Sequence, residues 1–434
     1  MKRFLIALAV LLSVQVADAQ VKSPAAAKKA LDAAQVAAEN PKKNTKVATW
    51  TKLASAYMDA FNAPYGNFLV NTPKAQLIQM MIYKPSANIQ ITELMGENYS
   101  MDALDNKTLY FDGTETLRYI EITSPVVEDP LAGALNAYVK ASEVDVKGTK
   151  TEDILNGMKL VAAKYFDEGM TKYNLNKVAE AAVLVAKAAD ASATAPLSSP
   201  DNTYHYYAGR MFLEVGDLAS AKTYFEKCIG FGYYGENGSL YPYLSNVYMQ
   251  LGDEENGIKV LEEGFAKFPE EPNILVGLIN YYLVKEGGES KLLDLIDKAK
   301  KAMPDNVSVY RVEGNIYVRL GDFENAEKAY KAAIELGPND PDAYLALVGY
   351  YIDRGADFFT KAQETMDDSE WERLIGLYNA ELVKSLEPLE KFMEIVDEAR
   401  RMDVAPTLRQ VYFQIRNLDD KYMQKFEEYK KMTE

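Results

Sequence analysis

Tyrosine, arginine and amide side chains recur in small clusters between residues 206 and 319. Tyr206, Tyr207 and Arg210 form one cluster, Tyr243, Asn246 and Gln250 a second, Leu278 and Tyr281 a third, and Arg311, Asn315 and Arg319 a fourth. Steps of three and four residues put the members of each cluster on one face of a helix. Such a face offers ring surfaces, amide donors and guanidinium forks, a set suited to an extended peptide or a polymer bearing carboxylates. Tyr206, Tyr207, Tyr243 and Tyr281 would equally stack on sugar rings. Tyr and Arg also concentrate binding energy at interfaces.

Groups for covalent chemistry are scarce. The 434 residues contain one His, His205, and one Cys, Cys228, which excludes zinc sites built from those ligands and any disulfide within the chain. A Ser-His-Asp arrangement would need His205, which has no nucleophile elbow near it. Walker and G-x-G-x-x-G signatures are missing, and no carboxylate pair stands out as a glycosidase acid and base. The expectation is a non-enzyme with no cofactor and no metal, with His205 and Cys228 as core residues. Lys and Arg number 48 against 64 Asp and Glu, a net charge of −16. That balance disfavours nucleic acid and an anionic membrane surface as partners.

Residues 1–19 have the layout of a secretory signal peptide. Lys2 and Arg3 precede an apolar run from Phe4 to Val16, and Ala17-Asp18-Ala19 offers a small-residue cleavage site before Gln20. The apolar run is too short for a stable membrane anchor, and the lack of a following Cys removes the lipoprotein route. A soluble exported protein, periplasmic or secreted, is therefore expected, with no stable membrane insertion.

The elements that must position the clusters emerge from Val307 to Asp340, VSVYRVEGNIYVRLGDFENAEKAYKAAIELGPND. This stretch reads as two antiparallel helices, the first ended by Gly321 and the second capped by Asp322. It resembles the tetratricopeptide repeat (TPR), with Tyr310, Gly314, Tyr317, Ala326, Tyr330 and Pro338 at that family's pattern positions and Glu313 where Leu is usual. Gly216, Gly252, Gly287, Gly321 and Gly355 recur at spacings of 36, 35, 34 and 34 residues, and Pro269, Pro304 and Pro338 close three of the repeats. The resemblance implies an all-α superhelical TPR solenoid of about six to seven units with a small α+β insertion in an early repeat.

After the leader, residues 20–61 hold the amino-terminal helices and the first half of a split repeat, where Trp50, Leu53, Ala54 and Tyr57 fit the pattern. Residues 62–128 form the insertion, with a short helix from Thr72-Pro73 and strands expected at 88–92, 108–111 and 117–123. Asp112-Gly113 is its turn signal. Residues 129–201 are TPR repeats, 202–355 a regular TPR array, and 356–434 a further insertion followed by capping helices at about 370–401 and 407–432. LYFDGTETLRYIEITSPVVEDPLAGALNAYVKASE and VYFQIRNLDDKYMQKFEEYKKM resemble stretches of exported TPR proteins from Bacteroidetes-type bacteria.

The resemblance implies that the four clusters line a concave groove. It implies a scaffold role in protein-protein interaction, with a peptide or protein segment as ligand and a glycan or cell-wall polymer as the alternative. Arg311 and Asn315 resemble half of the carboxylate clamp of chaperone-binding TPR domains, but Leu345 and Ala346 stand where its other half would be. A homo-oligomer through the β-prone insertion also stays open.

Overall fold

A computed structural model describes residues 21–285 and 287–433; the leader expected at 1–19 lies outside them. The described chain forms two compact units. The first comprises its residues up to Gly235 together with Asn246–Asp253, and the second Glu236–Ser245 together with Glu254 onward.

The first unit opens with α1 (Pro24–Glu39) and α2 (Val47–Asn62), followed by the short α3 (Lys74–Gln79). Strands β1 (Gln90–Leu94), β2 (Glu97–Ala103), β3 (Lys107–Phe111) and β4 (Leu117–Ile122) come next, then α4 (Pro130–Val144), α5 (Thr151–Asn174), α6 (Val178–Ala193), α7 (Asn202–Glu214) and α8 (Leu218–Gly230). Helix α4 packs on α2, so the sheet is an insertion between the two arms of one helical hairpin. Each later helix of the unit, from α5 to α8, lies against the one before it.

The strands form an antiparallel meander in the order β1-β2-β3-β4. The expected three strands become four because β2, ENYSMDA, has little β propensity and owes its place to pairing on both sides. Met95 and Gly96, with φ of 53° and 85°, make the tight β1–β2 turn. At Asp112-Gly113 the turn is wider than expected. The Asp112 carboxylate accepts from the Thr114 and Thr116 amides, and the positive φ falls on Glu115 rather than on Gly113. Leu109, Phe111 and Ile120 form a core with Leu77 and Tyr83, while Tyr99 and Tyr110 form another with Leu175.

Glu121, 6% exposed, ties the sheet to the helices. It accepts from Lys172 Nζ at 2.8 Å, from Lys177, and from the Tyr110 hydroxyl at 2.9 Å. Burial would raise its carboxyl, but these hydrogen bonds outweigh burial and hold it at about 2.

The second unit contains α10 (Glu254–Lys267), α11 (Pro272–Val284), α12 (Glu289–Ala302), α13 (Val307–Arg319), α14 (Phe323–Leu336), α15 (Pro341–Glu364), α16 (Asp368–Ile395), α17 (Glu398–Ile415) and α18 (Asp420–Thr433). The division between units falls inside α9 (Leu240–Gln250). From α10 onward each helix lies against its neighbours in sequence, and α13 also touches α15, the nearest-neighbour pattern of a helical repeat.

Three local devices recur. Aspartate and asparagine side chains cap helices: Asp217, Asp322 and Asn306 accept from backbone amides two or three residues on. An aromatic donor in the first turn of a helix bonds a loop carbonyl six residues before it, as Trp50 does to Asn44, Tyr310 to Pro304 and Tyr344 to Pro338. A ring from one helix lies on a glycine of another. A Cβ at Gly209 would stand 2.6 Å from Phe225, and one at Gly314 would stand 2.5 Å from Tyr330. Glu313 tolerates the Leu position because Lys300 of α12 donates to both its oxygens at 2.9 Å while lying 4.9 Å from the Tyr310 ring centre.

Gly216, Gly252, Gly287 and Gly321 all have φ between 73° and 80° and end helices. Gly355 does not. It lies inside α15, which runs unbroken from Pro341 to Glu364, and it faces α16, where an added Cβ would make only ordinary contact with Tyr378 at 3.4 Å. The insertion expected after residue 355 is instead an extension of both arms of one helical hairpin. Beyond it the two expected helices are three, because the chain breaks at Val396-Asp397, where Asp397 caps α17, and again between Ile415 and Asp420.

Replacing Glu121 by Ala should lower unfolding stability by about 2 kcal/mol, because the partly buried Lys172 and Lys177 and the buried Tyr110 hydroxyl lose a shared acceptor. The group's folded value lies below the ordinary glutamate range, so its contribution is complete above that range and is lost as pH falls through about 2. Urea melts of wild type and variant at pH 7 and pH 2.5 should therefore differ much less at the lower pH. Gly314→Ala should cost about 1–3 kcal/mol by displacing Tyr330, read as a drop in urea midpoint.

Candidate ligand-binding cleft

The second unit has a cleft of about 940 Å³ walled by α11, α13 and α15. Helix α11 contributes Val276, Ile279, Asn280 and Leu283, a stripe at helical spacing. Helix α13 contributes Val312, Asn315, Ile316 and Arg319, also one stripe, and α14 adds Phe323 and Tyr330. From α15 come Leu345, Ala346, Gly349 and Tyr350, then Asp353, Arg354, Asp357, Phe358 and Lys361 a turn or more further along. A Cβ at Gly349 would touch nothing within 4 Å, so the missing side chain widens the cleft rather than admitting another helix.

The floor is apolar and the rim is charged. Asn315 accepts from the Tyr330 hydroxyl at 2.7 Å through Oδ1, which leaves its amide hydrogens to donate. Arg319, at the carboxyl end of α13, is exposed and makes no ion pair among the described residues. Asp357 is paired with Lys361 at 2.6 Å. The Arg354 guanidinium lies 5.1 Å from the centre of the Phe323 ring and 5.8 Å from that of Phe358, and its Nη1 donates to the Tyr350 hydroxyl at 2.7 Å. Apolar floor, amides and two guanidinium groups together can seat apolar side chains and hold peptide carbonyls or carboxylates.

The sequence clusters reach this cleft only in part. Asn315 and Arg319 line it. Arg311, one turn earlier, does not: it faces Asp342 at the start of α15, 3.7 Å away, with 30% of its side chain exposed. Tyr281 also stays outside. Residue 280 and its stripe face the cleft, and one residue further turns the side chain by about 100°, so Tyr281 lies edge-on to Tyr282 with Lys285 5.3 Å from its ring centre. Leu278 is buried core rather than groove surface.

In the first unit Tyr206 and Tyr207 of α7 are half-buried and lie edge-on to each other at 5.7 Å. Tyr206 also meets Tyr233 and Phe225, Tyr207 meets Phe166, and Arg210 sits 5.9 Å from the Tyr206 ring centre. These rings serve packing on at least one side. Tyr243, Asn246 and Gln250 share one face of α9, across the division between units.

His205 and Cys228 are fully buried. His205 Nδ1 lies 2.8 Å from the Asp201 carbonyl, and burial holds the imidazole below its ordinary range although that carbonyl pulls the other way. Burial pushes the Cys228 thiol up to about 12, which makes it inert. Among the described residues no group of three or more His, Cys, Asp or Glu gathers as a metal site, and no helix is long and apolar enough to cross a membrane.

Asn280, Asp353, Arg354, Asp357, Phe358 and Lys361 were not expected from the sequence. The last five lie around or after Gly355, which the repeat spacing marks as a helix end. A signal was present: Asp353, Asp357 and Lys361 follow one another every four residues, and no proline or capping pair follows Gly355.

Residues 314–347 match the family model for the TPR repeat. A TPR repeat-containing protein of Methanocaldococcus jannaschii is 25% identical over 183 residues, covering 37% of this chain; the chain spans about a third (31%) of that relative's length. A TPR protein structure from Bacteroides fragilis NCTC 9343 is 18% identical, covering 58% of this chain and 97% of its own, with a TM-score of 0.30. One from Parabacteroides merdae ATCC 43184 is 14% identical, covering 55% and 94%, with a TM-score of 0.35.

Proposed function

We propose that this chain, a tetratricopeptide-repeat protein, is a non-catalytic exported scaffold whose second unit binds a peptide segment of a partner protein in the cleft between α11, α13 and α15. TPR proteins are generally protein-interaction scaffolds. The observation that carries the finer reading is the cleft itself. It joins an apolar floor of Ile279, Leu283, Ile316, Leu345 and Ala346 to a rim where Arg319 makes no ion pair among the described residues and Asn315 keeps its amide hydrogens. Those are groups that hold an extended chain by its carbonyls while its side chains enter the floor. Export rests on the leader-like layout of residues 1–19.

The test is capture of a partner from the envelope fraction of the source organism, with the protein from Gln20 onward as bait. Exchanging Asn315 and Arg319 for Ala should abolish capture while lowering the thermal midpoint only slightly, since both residues are exposed and the main internal loss is the acceptor of the Tyr330 hydroxyl. Adding Arg311→Ala should lower stability as well, because that side chain is held by Asp342. Undiminished capture by the Asn315/Arg319 variant would remove the cleft as the binding surface. Gly349→Leu should stabilise α15 by about 0.8 kcal/mol through helix propensity while filling the cleft, so the protein should melt later and capture less.

A further inference from the structure

The long α15–α16 hairpin places a counter-charge behind the cleft wall. Glu381 of α16 is 3% exposed and does not line the cleft. Its Oε1 lies 3.1 Å from Lys384 Nζ and 3.6 Å from Arg354 Nε, while Oε2 is buried with no hydrogen-bond partner among the described residues. A buried carboxylate with one oxygen unsatisfied does not improve stability, and an apolar residue of the same size would serve folding equally well or better. What it does is fix Arg354. That guanidinium is stacked by Phe323 and Phe358, bonded to the Tyr350 hydroxyl and balanced by Glu381. Its Nη2 hydrogens make no hydrogen bond among the described residues, so part of the fork stays open.

We infer that Glu381 is a positioning residue that holds Arg354 as a preformed carboxylate fork, and that the cleft takes an internal peptide segment carrying one Asp or Glu side chain between apolar residues. The inference rests on the peptide-cleft reading above. A guanidinium held on several sides before the ligand arrives loses little freedom on binding, and its planar fork matches a carboxylate. Arg319 adds a second guanidinium to the same cleft. The ligand is singly acidic because Asp353 and Asp357 also line the cleft and repel further carboxylates. Flanking apolar residues match the floor, and the space above Gly349 admits one of them.

Isothermal titration calorimetry of the full chain with capped heptapeptides tests this. The probes are acetylated and amidated, so neither terminus carries charge. Each has leucine and valine around a centre of glutamate, glutamine or three glutamates. The glutamate peptide should bind at least about tenfold tighter than its glutamine twin, and the triple-glutamate peptide more weakly than the single one. Arg354→Ala and Glu381→Gln should each collapse the glutamate-over-glutamine preference while the glutamine twin keeps its affinity. That preference is a readout that a merely structural role for Glu381 would not move. Equal, measurable binding of the two twins would overturn the carboxylate inference and leave the cleft reading standing; binding of none of the peptides would overturn both. A preference that survives Glu381→Gln would remove the positioning role, and tighter binding of the triple-glutamate peptide would remove the single-acid requirement.

Discussion

A side-chain ring resting on a glycine is the contact on which the helical pairs depend. Tyr57 lies on Gly133, Tyr138 on Gly157, Phe225 on Gly209 and Tyr330 on Gly314, each at a separation that an added Cβ would reduce to below 3 Å. The glycine brings two backbones close and the ring fills the space, so each pair has one register in which large and small residues alternate. The capping aspartates and the aromatic donors to loop carbonyls then fix where each helix starts. In the second unit the cleft follows from this spacing. Gly314 and Tyr330 close α13 on α14, and the Tyr330 hydroxyl reaches Asn315 on the cleft side.

Two buried carboxylates show how charge is managed away from the surface. Glu313 stands where the repeat pattern has Leu and is matched on both oxygens by Lys300. Glu381 is matched on one oxygen only. The first is a satisfied ion pair between consecutive repeats. The second is not, and it lies behind the only stacked guanidinium among the residues that line the cleft. The sheet in the first unit follows the satisfied pattern, since Glu121 carries three hydrogen bonds from the helices and strand around it.

Much of the helical framework is legible in the sequence because its signals are local. Glycines that adopt positive φ mark the helix ends at Gly216, Gly252, Gly287 and Gly321, and at most of them an aspartate just after or a proline past the next helix adds to the signal within a few residues. Gly355 has the same spacing but lies inside α15, facing α16, a helix that starts thirteen residues later in the chain. Spacing does not distinguish a glycine that adopts a positive φ and ends a helix from one that stays inside it. That single ambiguity hid Asp353, Arg354, Asp357, Phe358 and Lys361 from the sequence reading. Strand β2 was hidden for a related reason, since its residues become a strand through pairing with β1 and β3 rather than through their own preference.

The sequence by itself determined the repeated helical pairs, the buried inert roles of His205 and Cys228, and two of the cleft residues, Asn315 and Arg319. These follow from periodicity, composition and short-range capping, which are properties of neighbouring residues. Only the tertiary structure decided that Arg311 turns to Asp342, that Tyr281 faces Tyr282, and that Arg354 is held between Phe323, Phe358, Tyr350 and Glu381. Those outcomes depend on which side chains of separate helices meet, and one residue of rotation, about 100° on a helix, is enough to exchange a cleft-lining position for a packing one.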